Sequence, residues 1–184
     1  MTLGRLVFRL VVGALFVGHG TQKLFGWFGG GGPEETGKTF ESAGLRPGRL
    51  NARAAGAAET TGGAMLALGL ATPLAASIVS GVMLTAIRTV HWQRGLWNTK
   101  GGYEYPAVIL AGLFALTGAG PGRVSLDAAL GRERRGLKWA IAELAAAAIG
   151  SVGVIQAGRR DAAGLHTGEA GQGAQEQAPL RHAA

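Results

Sequence analysis

The sequence predicts an all-α membrane fold: a transmembrane four-helix bundle, antiparallel and up-and-down, with a short interfacial helix in the first loop and an additional C-terminal helix. Three observations carry this. Charged residues make up only 16% of the 184-residue chain, against about 25% in a soluble domain. Apolar residues are segregated into 6–25, 54–71, 74–90, 103–119 and 137–157, lengths that suit a hydrocarbon core of ~30 Å. The connections are short enough to force neighbouring helices antiparallel. Residues 1–136 form the predicted bundle domain, 137–158 an extra apolar helix and 159–184 a polar tail.

The first helix, about 3–25, is apolar yet carries Arg9, His19 and Lys23. At about 100° per residue, Arg5, Arg9, Phe16, His19 and Lys23 share roughly a quarter of its circumference. Its apolar run is too long for a secretory signal and no small-x-small site follows, so it reads as a retained helix. It ends in Phe25-Gly26-Trp27-Phe28, an interfacial aromatic group, and Gly29 to Gly32 with Pro33 break it. Residues 33–43 suit a short interfacial helix, with Pro33 early and Glu34 and Glu35 in the first turn. The second helix, about 50–71, is rich in Ala and Gly, which allow close helix approach in lipid. Glu59, Thr60 and Thr61 are its polar exceptions.

Thr72-Pro73 makes a tight connection to a third helix, about 74–91, ending near Arg88 and His91. A loop through Gly101-Gly102 leads to a fourth helix, about 103–119, opened by Tyr103-Glu104-Tyr105-Pro106 and closed by Gly118 to Gly122. Segment 137–157 has the length of a fifth span, but Lys138, Glu143 and many alanines leave an amphipathic surface helix as the alternative. The tail 159–184 has no apolar period and is expected to be disordered.

An ionisable residue in lipid costs on the order of 3 kcal/mol unless it faces protein, water or a partner. Up-and-down topology brings one end of each helix to the same leaflet: His19 and Lys23, then Glu59, then Arg88 and His91, then Glu104. Glu59 and Glu104 are thus the natural partners of the basic stripe. Arg9 lies ~15 Å deeper along the axis than His19 and is left to snorkel toward the opposite headgroups. The alternative for each residue taken singly is structural, because acids at helix starts and bases at helix ends are what the macrodipole prefers.

Other chemistries fit less well. The chain has no cysteine, so disulfides, thiolate catalysis and Cys-ligated clusters are excluded. His19 and His91 as axial haem ligands would both sit near one surface, and His166 and His182 fall in the tail. No tight metal-ligand motif occurs, so no metal is expected. Gly29 to Gly32 precede no Gly-Lys-Ser/Thr and form no phosphate loop. The net charge of +7 belongs to residues flanking apolar segments, where anionic headgroups attract them, and does not point to nucleic acid.

An ordered series of blocks resembles the DoxX family (DoxD/DoxX-like) of small four-helix integral membrane proteins, over roughly 5–130. The blocks are Gly18-His19-Gly20-Thr21-Gln22-Lys23-Leu24-Phe25-Gly26, Phe40 with Gly44-Leu45, and Glu59-Thr60-Thr61-Gly62-Gly63 leading to Leu68-Gly69-Leu70-Ala71-Thr72-Pro73. Then come His91 with Gly95 to Thr99, Gly101 to Tyr105, and Gly120-Pro121-Gly122-Arg123-Val124-Ser125-Leu126-Asp127. The resemblance implies a four-helix core with the family's polar positions at His19, Lys23, Glu59, His91 and Glu104. It also implies a loose association with redox balance or stress, the family being named from a small subunit associated with an archaeal quinol oxidase and thiosulfate:quinone oxidoreductase.

The resulting expectation is a multi-pass cell-membrane component of a redox or stress-response system. Its pocket, from His19, Lys23, Glu59, Arg88, His91 and Glu104 with Arg9 secondary, would face a quinone or a partner near one leaflet. The chain carries no cofactor motif of its own, so it would be at most an oxidoreductase subunit dependent on a quinone or a partner. The expected partners are the lipid bilayer and a redox subunit, with a homo-oligomer left open. The competing expectation is a non-enzymatic scaffold or small-solute transporter-like protein whose intramembrane ion pairs are structural. Seven basic residues flank the helices on the N-terminal side and eight on the other, so the positive-inside rule does not choose. The basic start and the Arg132–Lys138 cluster favour a cytoplasmic N-terminus.

Overall fold

The computed structural model describes the backbone of residues 2–176 and the side chains of residues 3–159. The tail expected over 159–184 therefore falls outside the fully described residues. Among the described residues every regular element is helical: α1 (Thr2–Phe25), α2 (Gly32–Ser42), α3 (Gly48–Leu68), α4 (Thr72–Ala86), α5 (Glu104–Ala119), α6 (Leu126–Ala129) and α7 (Leu137–Glu176). Among the described residues three helices are, by length and composition, long and apolar enough to cross a membrane: Leu3–Phe25, Thr72–Arg94 and Leu137–Arg159. Glu104–Ala119 is a shorter apolar helix.

Glycine sets the packing of α1 on α3. A methyl group on Gly20 would lie 2.2 Å from Thr60 Oγ1, and one on Gly63 would lie 2.7 Å from the Gly13 carbonyl oxygen. The backbones thus touch at Gly13 against Gly63 and at Gly20 against Gly56, which makes the pair antiparallel. Dispersion between closely approaching backbones replaces the hydrophobic effect as the cohesive force in lipid. The core beside this contact holds Val12, Phe16, Leu66, Val79 and Leu113, while Val7, Leu10, Val11 and Leu15 point outward.

Two helix boundaries differ from the sequence expectation. The second helix stops at Leu68 because Gly69 takes a left-handed conformation (φ 62°); its N–H donates to the Leu66 carbonyl and that of Leu70 to the Met65 carbonyl, a Schellman closure. The next helix starts at Thr72, with Pro73 where a missing N–H costs nothing. Its far end widens into a π-turn over Ile87–His91.

The segment after α5 is more ordered than a polar connection. Ser125 caps α6 by accepting from Ala128 N–H at 3.2 Å, and Asp127 is buried. Helix α7 lies along the candidate span Thr72–Arg94. It packs parallel to α4, Ser77 and Ser80 meeting Glu143 and Thr85 meeting Ser151. Its buried face is Ala140, Glu143, Ala147, Ser151 and Ile155, a spacing of one helical turn.

Candidate functional site

The expected polar residues divide among separate places. Lys23, at the end of α1, meets Glu59 on α3. Their Nζ and Oε2 are 2.6 Å apart, with the Glu59 side chain 5% and the Lys23 side chain 22% exposed. Antiparallel packing creates this meeting, because the Gly20–Gly56 contact one turn away holds the two helices at touching distance. Lys23 also donates weakly to the His19 carbonyl at 3.4 Å, so its three-donor ammonium keeps an N–H for a further acceptor. His19 is exposed, its Nδ1 3.0 Å from Gln22 Oε1. Gln22 in turn donates to the Phe28 carbonyl at 3.3 Å. That bond ties the site to an exposed aromatic cluster, in which the Phe25 and Trp27 rings are 5.1 Å apart and Phe28 meets Trp27 edge-on.

His91 and Glu104 serve the connection between α4 and α5. His91 Nδ1–H donates to the Gly101 carbonyl at 2.6 Å, and Glu104 Oε2 accepts from Asn98 N–H at 3.0 Å. Trp92 stacks on Tyr103 beside them, centroids 5.6 Å apart. Among the described residues no ion pair joins Glu104 to the basic stripe of α1; a six-residue turn within reach of its own backbone satisfies it locally. Arg88 is exposed on the π-turn and lines a cavity of about 180 Å³ with Leu45, Thr89, Gln93, Ile155 and Arg159.

Arg9 does not snorkel. It is 2% exposed, and its guanidinium donates to the carbonyls of Leu66 (3.1 Å), Ala67 (3.0 Å), Pro121 (2.5 Å) and Val124 (3.0 Å). Arg5, above it, donates to the Ala119 carbonyl at 2.6 Å. Asp127, which the sequence shows within the Gly120–Asp127 block but without a role, is a further functional position. Its Oδ1 accepts from Ala71 N–H (2.7 Å), and its Oδ2 accepts from Thr72 N–H (2.8 Å) and the Thr72 hydroxyl (2.7 Å). The signal for it was the start of α4, whose unpaired N–H groups require an acceptor.

The two ends of α1 therefore differ in chemistry. The Arg9 end is closed, its four side-chain bonds all made to backbone carbonyls. The Lys23 end is half open, with a charged donor, a neighbouring imidazole and an aromatic fringe. Among the described residues no group of three or more His, Asp or Glu side chains gathers as a metal site would require.

The sequence model of the DoxX family matches residues 4–92, which spans both the Arg9 and Lys23 ends and all of α3 and α4. An uncharacterized membrane protein of Mycobacterium tuberculosis is 30% identical over 135 residues, covering 67% of this chain and 79% of the relative. No solved structure gives a significant match. With the helical fold, the membrane-length apolar helices and these two matches, the chain belongs to the DoxX family of integral membrane proteins.

Proposed function

We propose that this protein is a component of a membrane redox or stress-response system, and that its working site is the half-open Lys23 end of α1. The observation that supports this is the Lys23–Glu59 pair. Glu59 fixes the ammonium at 2.6 Å, while Lys23 keeps a donor and partial exposure at the level of the Phe25–Trp27–Phe28 cluster. A quinone head has the matching chemistry: carbonyl oxygens that accept from Lys23 and His19, and an apolar ring and tail that suit an aromatic fringe beside lipid. The chain has no thiol or other redox group of its own motif, so electrons would pass through the bound quinone or a partner subunit. The same pair could instead dock the partner directly.

Reconstitution of the purified protein with a fluorescent or isotopically labelled ubiquinone tests the reading. Wild type is expected to bind, and Lys23→Gln and Glu59→Gln to lose binding while still accumulating in the membrane. Absence of quinone binding by the wild type, together with unchanged quinone-linked respiration on deletion, overturns it. The second reading, a structural ion pair in a scaffold or transporter-like protein, is favoured by the near-complete burial of Glu59. It predicts that the same substitutions lower membrane accumulation instead.

A further inference from the structure

Helix α7 carries an acid that the Lys23 site does not use. Glu143 is 2% exposed and sits in the seam between α4 and α7. Its Oε1 accepts from the Ser80 hydroxyl at 2.6 Å, and its backbone carbonyl accepts from Ser77 at 3.2 Å. Its Oε2 is buried with no hydrogen-bond partner among the described residues. The Thr117 hydroxyl, on α5, is the other buried side-chain atom in that condition, and α5 packs against both α4 and α7. The seam thus gives the Glu143 carboxyl one hydroxyl donor, from Ser80, and leaves its second oxygen unmet among the described residues.

It is also short of positive charge. Helix α4 has no ionisable residue from Thr72 to Ala86. On α5 the ionisable groups, Glu104 and Tyr105, stand in the first turn, whereas Gly118 at the opposite end lies beside Ala140 of α7. On α7 itself, Lys138 is exposed and five residues away, about 140° around the helix, and in the segment before α7 Arg134 is occupied over the Trp139 ring. A carboxylate with one hydroxyl donor and no counter-charge in a membrane interior is strongly disfavoured. A proton on Oε2 removes the charge and leaves the Ser80 bond to Oε1 intact. Glu143 lies six residues into α7, about 9 Å along the axis, below the Arg132–Lys138 cluster and within reach of the water at that leaflet.

We infer that Glu143 is an intramembrane proton-binding site, whose carboxyl takes a proton from the aqueous phase on the Arg132–Lys138 side and returns it there. Loading forms an O–H bond on Oε2 with a proton delivered by water, and release gives that proton back to water; no electron moves. Release also places a bare charge between α4 and α7, which draws water into the seam and loosens the packing of α7. Proton occupancy is therefore coupled to how tightly the last helix sits on the bundle.

The test is infrared difference spectroscopy of the full-length protein in phosphatidylcholine–phosphatidylglycerol vesicles, comparing acid with alkaline buffer in H₂O and in D₂O. The expected result is a protonated-carboxyl C=O band that is lost at alkaline pH, shifts in D₂O and is missing from Glu143→Gln, whose amide keeps the Ser80 bond. A wild type without the band, a band unaltered in Glu143→Gln, or a band that neither titrates nor shifts in D₂O overturns the proposal. Labelling of the wild type with dicyclohexylcarbodiimide, which attacks protonated carboxyls from the lipid phase, decides the matter independently of whether the variant folds. Mass spectrometry is expected to place the adduct on Glu143, with a yield that falls as pH rises; an unlabelled Glu143 overturns the assignment.

Discussion

Arg9 and Asp127 hold opposite ends of the same hairpin. Arg9 donates to the carbonyls of Leu66 and Ala67, where α3 ends, and Asp127 accepts from the N–H groups of Ala71 and Thr72, where α4 begins. A cation at a helix C-terminus and an anion at the next N-terminus each complement the local dipole. The Asp127 N–H, bonded to the Gly69 carbonyl at 2.9 Å, ties the pair to the intervening turn.

Replacement of Arg9 by Leu is expected to remove four bonds and leave buried carbonyls without donors. Each such group costs about 1–3 kcal/mol, so the loss should be several-fold larger than for a lipid-facing control such as Val11→Ala. Lys in place of Arg9 should recover only part, since a single ammonium cannot span carbonyls from two segments. Denaturation in detergent micelles measures the difference; an Arg9→Leu protein as stable as wild type would contradict the four-carbonyl arrangement.

For Asp127, the expected order of stability is wild type, then Asn, then Ala. Asn keeps one acceptor and should cost about 1–2 kcal/mol. A double-mutant cycle with Thr72→Val checks the contact, because residues sharing a bond couple by about 0.5–3 kcal/mol. Additive effects would argue against it.

On the structural reading of the pair at the other end of α1, Lys23→Met alone should destabilise by about 3–5 kcal/mol, because it leaves Glu59 buried and uncompensated. Lys23→Met combined with Glu59→Leu should restore most of that loss. Thermal unfolding of the three variants reads this out, and a double variant as unstable as the worse single one would show that the pair is not the source of the effect.

The α1–α3 contact gives the sharpest steric prediction. Gly20→Leu places carbon where the Thr60 hydroxyl and the Gly56 carbonyl already stand, so the helices must separate and the Lys23–Glu59 bond with them. Gly18→Leu, on the same helix with nothing near its Cα substituent position, is the matched control and should be tolerated. Disulfide trapping between cysteines introduced on α1 and α3 distinguishes the two.

The helices, the short surface helix and the Lys23–Glu59 pairing were legible because they follow from apolar run length and from the antiparallel logic of short loops. Arg9 was not, since its partners are backbone carbonyls, which have no sequence signature. Glu104 was misleading for a related reason: topology pointed it toward the basic stripe, but its carboxylate accepts from the Asn98 N–H in its own loop. The packing of α7 was hidden by its alanines. They lower its apolar contrast while shaping the small-residue face on which Ser80 and Ser77 meet Glu143.

The four carbonyls around Arg9 also set an order of events during synthesis. Two of them belong to residues 57 and 58 positions downstream and two to residues 112 and 115 positions downstream. When α1 leaves the ribosome, none of these exists, and its guanidinium has only water or headgroups to turn to. Helix α1, made before the partners of its Arg9, is consequently among the last of these helices to reach its final depth. It settles once the chain through Val124 has been translated and the segment after α5 has folded back over it.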